Sequence, residues 1–124
     1  MPEPTMFDIM HPGKRVYDPE YPHAPDRWTP DAAREVAQKE GITLTEDHWK
    51  VVRALQEYFA RNENDANRIN VREFHDALEE MFHAKGGLRY TYTILPGGPV
   101  AQGCRLAGLE VPTGAVDTNF GSVT

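Results

Sequence analysis

The chain has 124 residues, 40% of them hydrophobic and 26% charged, and its net charge is -6. This length predicts a single domain, residues 1–124, and the acidic balance argues against strong non-specific binding to nucleic acid or to an anionic membrane. The first residues include acidic side chains and no apolar run, so we expect no signal peptide, and nowhere do about 18 consecutive apolar residues predict a membrane span. One cysteine cannot close an internal disulfide, and these features together predict a cytoplasmic protein.

The amino-terminal part, residues 1–27, is rich in proline and has a turn signal at Pro12 and Gly13. Short apolar pairs lie on both sides of this turn. The pattern predicts either a short β-hairpin or an extended arm, and both remain open.

Two helices are predicted next. Thr29 is a suitable N-cap with Pro30 at the first helical position, and this helix is expected to end before Gly41. Thr45 is the second N-cap, for a helix that runs to about Ala60. The apolar residues of the second helix recur at steps of three and four and predict a buried face: Trp49, Val52, Leu55, Tyr58 and Phe59.

A third helix is predicted after a polar loop. Asn70 and Glu73 have the spacing of a capping box, and Gly86 and Gly87 are expected to stop the helix. Its predicted inward face comprises Phe74, Ala77, Leu78, Met81 and Phe82. Residues 88–95 alternate like a strand but are few and lie among helices, so a strand and a helical turn both remain open.

A final short helix is predicted from Pro99 to Ala107, with Gly108 closing it. This helix contains Cys104, the one cysteine of the chain. Residues 109–124 contain turn formers and no helical pattern, so we expect them to form a mobile arm.

Residues 95–114 read LPGGPVAQGCRLAGLEVPTG, and this segment resembles the carboxy-terminal region of the DsrC family, which includes TusE. The matching parts are the Pro-x-Gly-Pro entry that ends at Pro99, the Gln-x-Cys-Arg-x-Ala-Gly-Leu core that begins at Gln102, and Pro-Thr-Gly at 112–114. Upstream, LTEDHW at residues 44–49 is similar to the family's Leu-Thr-Glu-x-His-Trp helix start.

The resemblance, which covers roughly residues 26–116, implies a mostly α fold. This is a small helical bundle of the DsrC type with a short amino-terminal β-hairpin and a flexible carboxy-terminal arm that docks into partner proteins. It also implies work in a sulfur relay with sulfur-trafficking or sulfite-reductase-like partners, and Cys104 would be the sulfur acceptor. The residues expected to bind the partner are Pro99, Gln102, Arg105, Gly108, Pro112, Thr113 and Gly114.

Proteins of this family use two cysteines, one in the last short helix and one near the end of the arm, and the two can be joined through a sulfur atom. Cys104 matches the first of these. Directly after the Pro-Thr-Gly motif, where the second is expected, this chain has Ala115, and it continues to Thr124 where the family's tail normally stops. The departure rules out an internal disulfide or trisulfide, so the thiol of Cys104 is expected to react with other molecules.

Two interpretations of Cys104 remain open. In one it is a thiolate that takes up a persulfide or forms a mixed disulfide, and in the other it is a small hydrophobic residue of the core. The negative end of the helix dipole would raise the pKa of the thiol, whereas the guanidinium of Arg105 would lower that pKa if it folded back over the sulfur.

Several other functions are weaker. The loop from Asn62 has the length of a calcium-binding loop but too few carboxylates at the ligand positions. His75, Glu79 and His83 lie four residues apart on the third helix, which is more typical of a solvated face than of a metal site. The chain has no nucleophile with a base, and no phosphate loop, so we expect neither a free-standing enzyme nor a cofactor.

An alternative function is regulatory. A DsrC-related protein that keeps its helix-turn-helix-like pair could sense sulfur state and contact DNA or another regulator through Arg68 and Arg72. The acidic net charge argues against tight DNA binding.

Overall fold

The computed structural model describes residues 19–115, which fold into five α-helices. In chain order these are α1 (Pro30–Glu40), α2 (Glu46–Arg61), α3 (Val71–Met81), α4 (Leu88–Ile94) and α5 (Pro99–Ala107). Short 3-10 turns lie at Ala66–Arg68, His83–Lys85 and Thr113–Ala115. The mostly α fold class is therefore confirmed. In this part of the chain, no helix is both long and apolar enough to cross a bilayer.

The amino-terminal hairpin finds no support among the described residues. Its turn signal at residues 12–13 lies outside them, and residues 19–27 form turns without strand pairing. These turns are nevertheless packed on the domain. Tyr21 and Trp28 are buried, and their rings meet edge to face with centroids 5.1 Å apart. Buried aromatic side chains, and not a strand ladder, hold this segment in place.

The first two helices begin where the capping signals predict. The Thr29 hydroxyl caps α1, and Gly41 ends it in the left-handed conformation at φ 73°. At α2, the backbone N–H of the N-cap Thr45 donates to His48 Nδ1 at 3.0 Å, so this nitrogen carries no proton. His48 Nε2 then donates to the Ile94 carbonyl at 2.8 Å, and the buried imidazole ties the start of α2 to the end of α4.

Helix α3 confirms its predicted start but only part of its predicted inward face. Asn70 Oδ1 accepts a hydrogen bond from Glu73 N at 3.0 Å, while the Glu73 carboxylate accepts from the Tyr58 hydroxyl instead of closing the capping box. Ala77 is exposed and Met81 is 41% exposed, so their assignment to the inward face is wrong. Because α3 packs chiefly against α4 and α5, the buried stripe is narrow, with residues four apart: Phe74, Leu78 and Phe82.

The sequence leaves a strand and a helical turn open for residues 88–95, and the structure has helix α4 there. Gly87 turns the chain at φ 68°, and the Glu79 carboxylate accepts a hydrogen bond from Leu88 N at 2.8 Å at the helix start. The hydroxyl of Tyr90 donates to the buried carboxylate of Asp47 at the start of α2. Such contacts join separate elements, which is why the alternating pattern by itself could not select the helix.

Helix α5 is surrounded by the other helices. It packs against α2 and α1 and also contacts α3 and α4. Its bounds match the prediction, and Gly108 ends it in the left-handed conformation at φ 77°. All of its residues are buried except Arg105. A Cβ atom on Gly103 would lie 2.6 Å from Leu55 Cδ1, so the glycine lets α5 and α2 approach closely.

The segment after α5 is packed on the domain as far as the structure describes it. Leu109 N donates to the Cys104 carbonyl at 2.9 Å, and Pro112 is fully buried. Apolar contacts place residues 109–115 against the core, while the mobility expected of the arm stays a prediction. The rest of the expected arm, residues 116–124, lies outside the described residues.

We expect Gly103→Ala to lower the free energy of unfolding by about 1 kcal/mol, because the buried side chains of Leu55 and Val51 must shift to admit the methyl group, and this cost exceeds the gain in helix propensity. Urea unfolding followed by circular dichroism measures the change. Gly114→Ala is the matched control, since its Cβ would meet Val71 at an ordinary 3.4 Å. Equal stability of the two variants would contradict the close approach of α2 and α5.

Candidate functional site

The thiol of Cys104 is sealed in the core. The residue is 0% exposed, lies in the last turn of α5 and belongs to the main cluster of buried apolar residues. Burial raises the pKa of this thiol from 9.0 to about 12, and the charge of Arg105 lowers that pKa only in part. Burial thus outweighs the effect of Arg105 and leaves the thiol unreactive in this closed structure.

The guanidinium of Arg105 is held by Glu40. Arg105 Nε donates to Glu40 Oε2 at 2.7 Å, and Nη2 donates to Oε1 at 3.0 Å. This two-point geometry is the strong form of an arginine–carboxylate pair, and the bond to Arg105 lowers the pKa of Glu40. The Arg105 side chain is 43% exposed, so the pair lies at the surface.

Gln102 extends this pair into the domain. Its Nε2 donates to Glu40 Oε1 at 2.9 Å, and its Oε1 accepts a hydrogen bond from Gly97 N at 2.8 Å. The buried amide therefore joins the end of α1 to the turn that precedes α5. Through Gln102 and Arg105, one carboxylate contacts the residues that precede and follow Cys104 on one face of α5.

The carbonyls at the end of α5 find partners outside the helix. Trp28 Nε1 donates to the Leu106 carbonyl at 2.7 Å, and Gln56 Nε2 donates to the Ala107 carbonyl at 3.1 Å. A helix leaves its last four carbonyls without partners of its own, so these two bonds satisfy buried groups that would otherwise destabilise the fold. They fix the same turn that contains the thiol.

The residues expected to bind a partner separate into two groups. Pro99, Gln102 and Pro112 are buried in this structure, and their role in binding a partner stays a prediction. Their side chains pack the segment onto the domain. The members that reach the surface are Arg105, Gly108, Thr113 and Gly114.

Sequence reasoning missed the residues that hold the cysteine-bearing turn, namely Glu40, Trp28 and Gln56. A buried tryptophan or glutamine needs partners for its polar atoms, which is a signal that a contact exists. The partners lie 51 to 78 residues away along the chain, so the sequence pattern does not identify them.

The metal site and the DNA-binding surface considered from the sequence are not assembled within residues 19–115. Glu79 is engaged by Leu88 N, and among the described residues no three or more His, Cys, Asp or Glu side chains gather where a metal could bind. Arg68 lies 3.8 Å from Glu63 and 3.7 Å from Asp65, so acidic neighbours surround one arginine of the DNA-binding alternative. That alternative finds no support.

Two features together define the class of protein. The domain is small and helical, and its last helix buries a cysteine within a Gln-x-Cys-Arg motif. The family model described as DsrC like protein matches residues 15–116. A protein named sulfurtransferase TusE from Yersinia pseudotuberculosis is 37% identical over 86 residues, which are 68% of this chain and 77% of that protein. Sulfurtransferase TusE of Escherichia coli (strain K12) is 34% identical over 87 residues, 69% of this chain and 77% of its own.

A solved structure agrees with these relatives. The NMR structure of Allochromatium vinosum DsrC matches with a TM-score of 0.60 and 33% sequence identity, covering 80% of this chain and 88% of that one. The chain therefore belongs to the DsrC-like family, which confirms the resemblance carried by its last helix and by the start of α2.

We expect the buried thiol to make the protein less stable at alkaline pH. The unfolded chain releases the Cys104 proton above about pH 9, while the folded chain keeps it up to about pH 12, so the free energy of unfolding falls as the pH rises through that window. Urea unfolding of the natural protein and of Cys104→Ala at a series of pH values measures the difference. The variant should lack this component, and parallel curves for the two proteins would contradict a protected thiol.

Proposed function

We propose that this protein works in a sulfur relay, docking onto a sulfur-trafficking or reductase-like partner and accepting sulfur at Cys104. The observation that carries the proposal is that the chain has one cysteine, at the position of the family's last-helix cysteine. Any sulfur held on a thiol of this chain is held there. The names of the TusE relatives, which describe sulfurtransferases, support the same role.

The transfer needs no external oxidant. The Cys104 thiolate attacks the outer sulfur of a donor persulfide, a new S–S bond forms, and the S–S bond of the donor breaks. The donor leaves as a thiolate and takes up the proton that Cys104 lost, so that one thiol and one persulfide are present before and after the step. Onward transfer is the same reaction with the roles exchanged.

Burial makes this transfer conditional. A thiol that is 0% exposed cannot meet a persulfide on another molecule, so the last turn of α5 must open before sulfur is exchanged. Ala115 offers no thiol at the arm position of the family, so Cys104 exchanges sulfur directly with the partner. The exposed residues nearest to Cys104 along the chain, Arg105 and Gly108, are the docking contacts we propose, together with Thr113 and Gly114.

Sulfur loading tests the proposal. The protein is incubated in native buffer with inorganic polysulfide, and its intact mass is measured over time. We expect a slow gain of one sulfur atom per chain, which Cys104→Ala abolishes. Loading should become fast in denaturant, because unfolding exposes the thiol.

A second variant calibrates the reagent. Ala115→Cys in the Cys104→Ala background places the only thiol at the partly exposed position 115, and we expect it to load quickly in native buffer. If the calibrating variant loads while the natural protein gains no sulfur for as long as it stays folded, Cys104 is not an acceptor and the proposal is wrong.

A further inference from the structure

Three side chains from other parts of the fold hold the carboxy-terminal half of α5. Trp28 and Gln56 are buried and bind backbone carbonyls of this helix. Glu40 differs from both, because it binds side chains and is itself 23% exposed. Of the three contacts, the one made by Glu40 is therefore the one that water or a partner can reach without prior opening.

The Glu40 carboxylate accepts three hydrogen bonds from α5. Two come from Arg105 at 2.7 and 3.0 Å, and one comes from Gln102 Nε2 at 2.9 Å. Gln102 and Arg105 are three residues apart and so lie on the same face of the helix, with Cys104 between them in the chain. One surface carboxylate thus spans the turn that contains the thiol.

A second feature is a buried polar atom that lacks a hydrogen bond in the closed state, in which the last turn of α5 is packed and Cys104 is buried. The side-chain oxygen of buried Gln56 finds no hydrogen-bond partner among residues 19–115. A buried acceptor without a partner destabilises the closed state, and opening the end of α5 would expose this oxygen to water. The unpaired oxygen of Gln56 therefore favours opening of the last turn of α5, whereas the hydrogen bonds of Glu40 oppose it.

We propose that Glu40 is a positioning residue that sets how often the last turn of α5 opens, and hence how fast Cys104 meets a sulfur donor. The role in sulfur transfer rests on the proposed function. The opening itself is a property of the fold, and it can be measured with a reagent that alkylates the thiol and transfers no sulfur.

Alkylation of Cys104 by iodoacetamide in native buffer measures the opening. We expect Glu40→Ala to raise the alkylation rate about tenfold, because all three hydrogen bonds between Glu40 and α5 are lost. The effect is no larger because solvent partly screens the Glu40–Arg105 pair. Glu40→Gln keeps the shape but not the charge and should raise the rate about threefold. Glu46→Gln is the matched control, since it weakens a surface pair with Arg53 away from α5 and should leave the rate unchanged.

Two further measurements separate local opening from loss of the whole fold. Alkylation rates are measured at low urea concentrations beside the global free energy of unfolding, because a local opening exposes little surface and depends weakly on urea. A double variant, Glu40→Ala with Arg105→Ala, should react no faster than Glu40→Ala alone, since both changes break the same contact. Unchanged rates, or rates that rise only as much as global stability falls, would overturn the role of Glu40.

The outcomes also separate this inference from the proposed function. Faster alkylation of Glu40→Ala without any polysulfide loading in native buffer would leave the opening intact and remove the sulfur-acceptor role. Loading of the natural protein at the same rate as Glu40→Ala would remove the role of Glu40 and leave the acceptor.

Discussion

The close packing of α5 against α2 at Gly103 is the constraint on which the rest of the structure depends. The absence of a side chain at this position lets the last helix enter the centre of the domain, where α1 also packs against it. Once the helix is there, its neighbours must satisfy its polar groups, and Trp28, Gln56 and Glu40 do so. The burial of Cys104 is a consequence of the same packing.

The packing of α5 that stabilises the fold also lowers the reactivity of the Cys104 thiol. The contacts that bury α5 keep the thiol protonated, because a thiolate at the centre of an apolar cluster would lose its hydration. The sulfur exchange proposed for Cys104 therefore requires movement of α5, the helix at the centre of the domain.

The helices were predictable to the extent that local bonds define them. Thr29, Thr45 and Asn70 each precede a helix as their capping chemistry requires, and Gly108 ends α5 in the conformation that favours glycine. Predictions that depended on neighbouring elements fared worse. Met81 fits the helical period yet is left exposed, because no element within residues 19–115 covers that side of α3 closely enough to bury it.

The sequence by itself determined where most helices start and stop, and which family the last helix belongs to, because caps and motifs act between residues a few positions apart. Only the tertiary structure decided that α4 is a helix, that residues 109–115 pack on the domain, and that the thiol of Cys104 is buried. The bonds responsible join residues far apart in the chain, such as Trp28 to Leu106 and Glu40 to Arg105. No period or spacing encodes such pairs, since they form only when the folded helices bring them together.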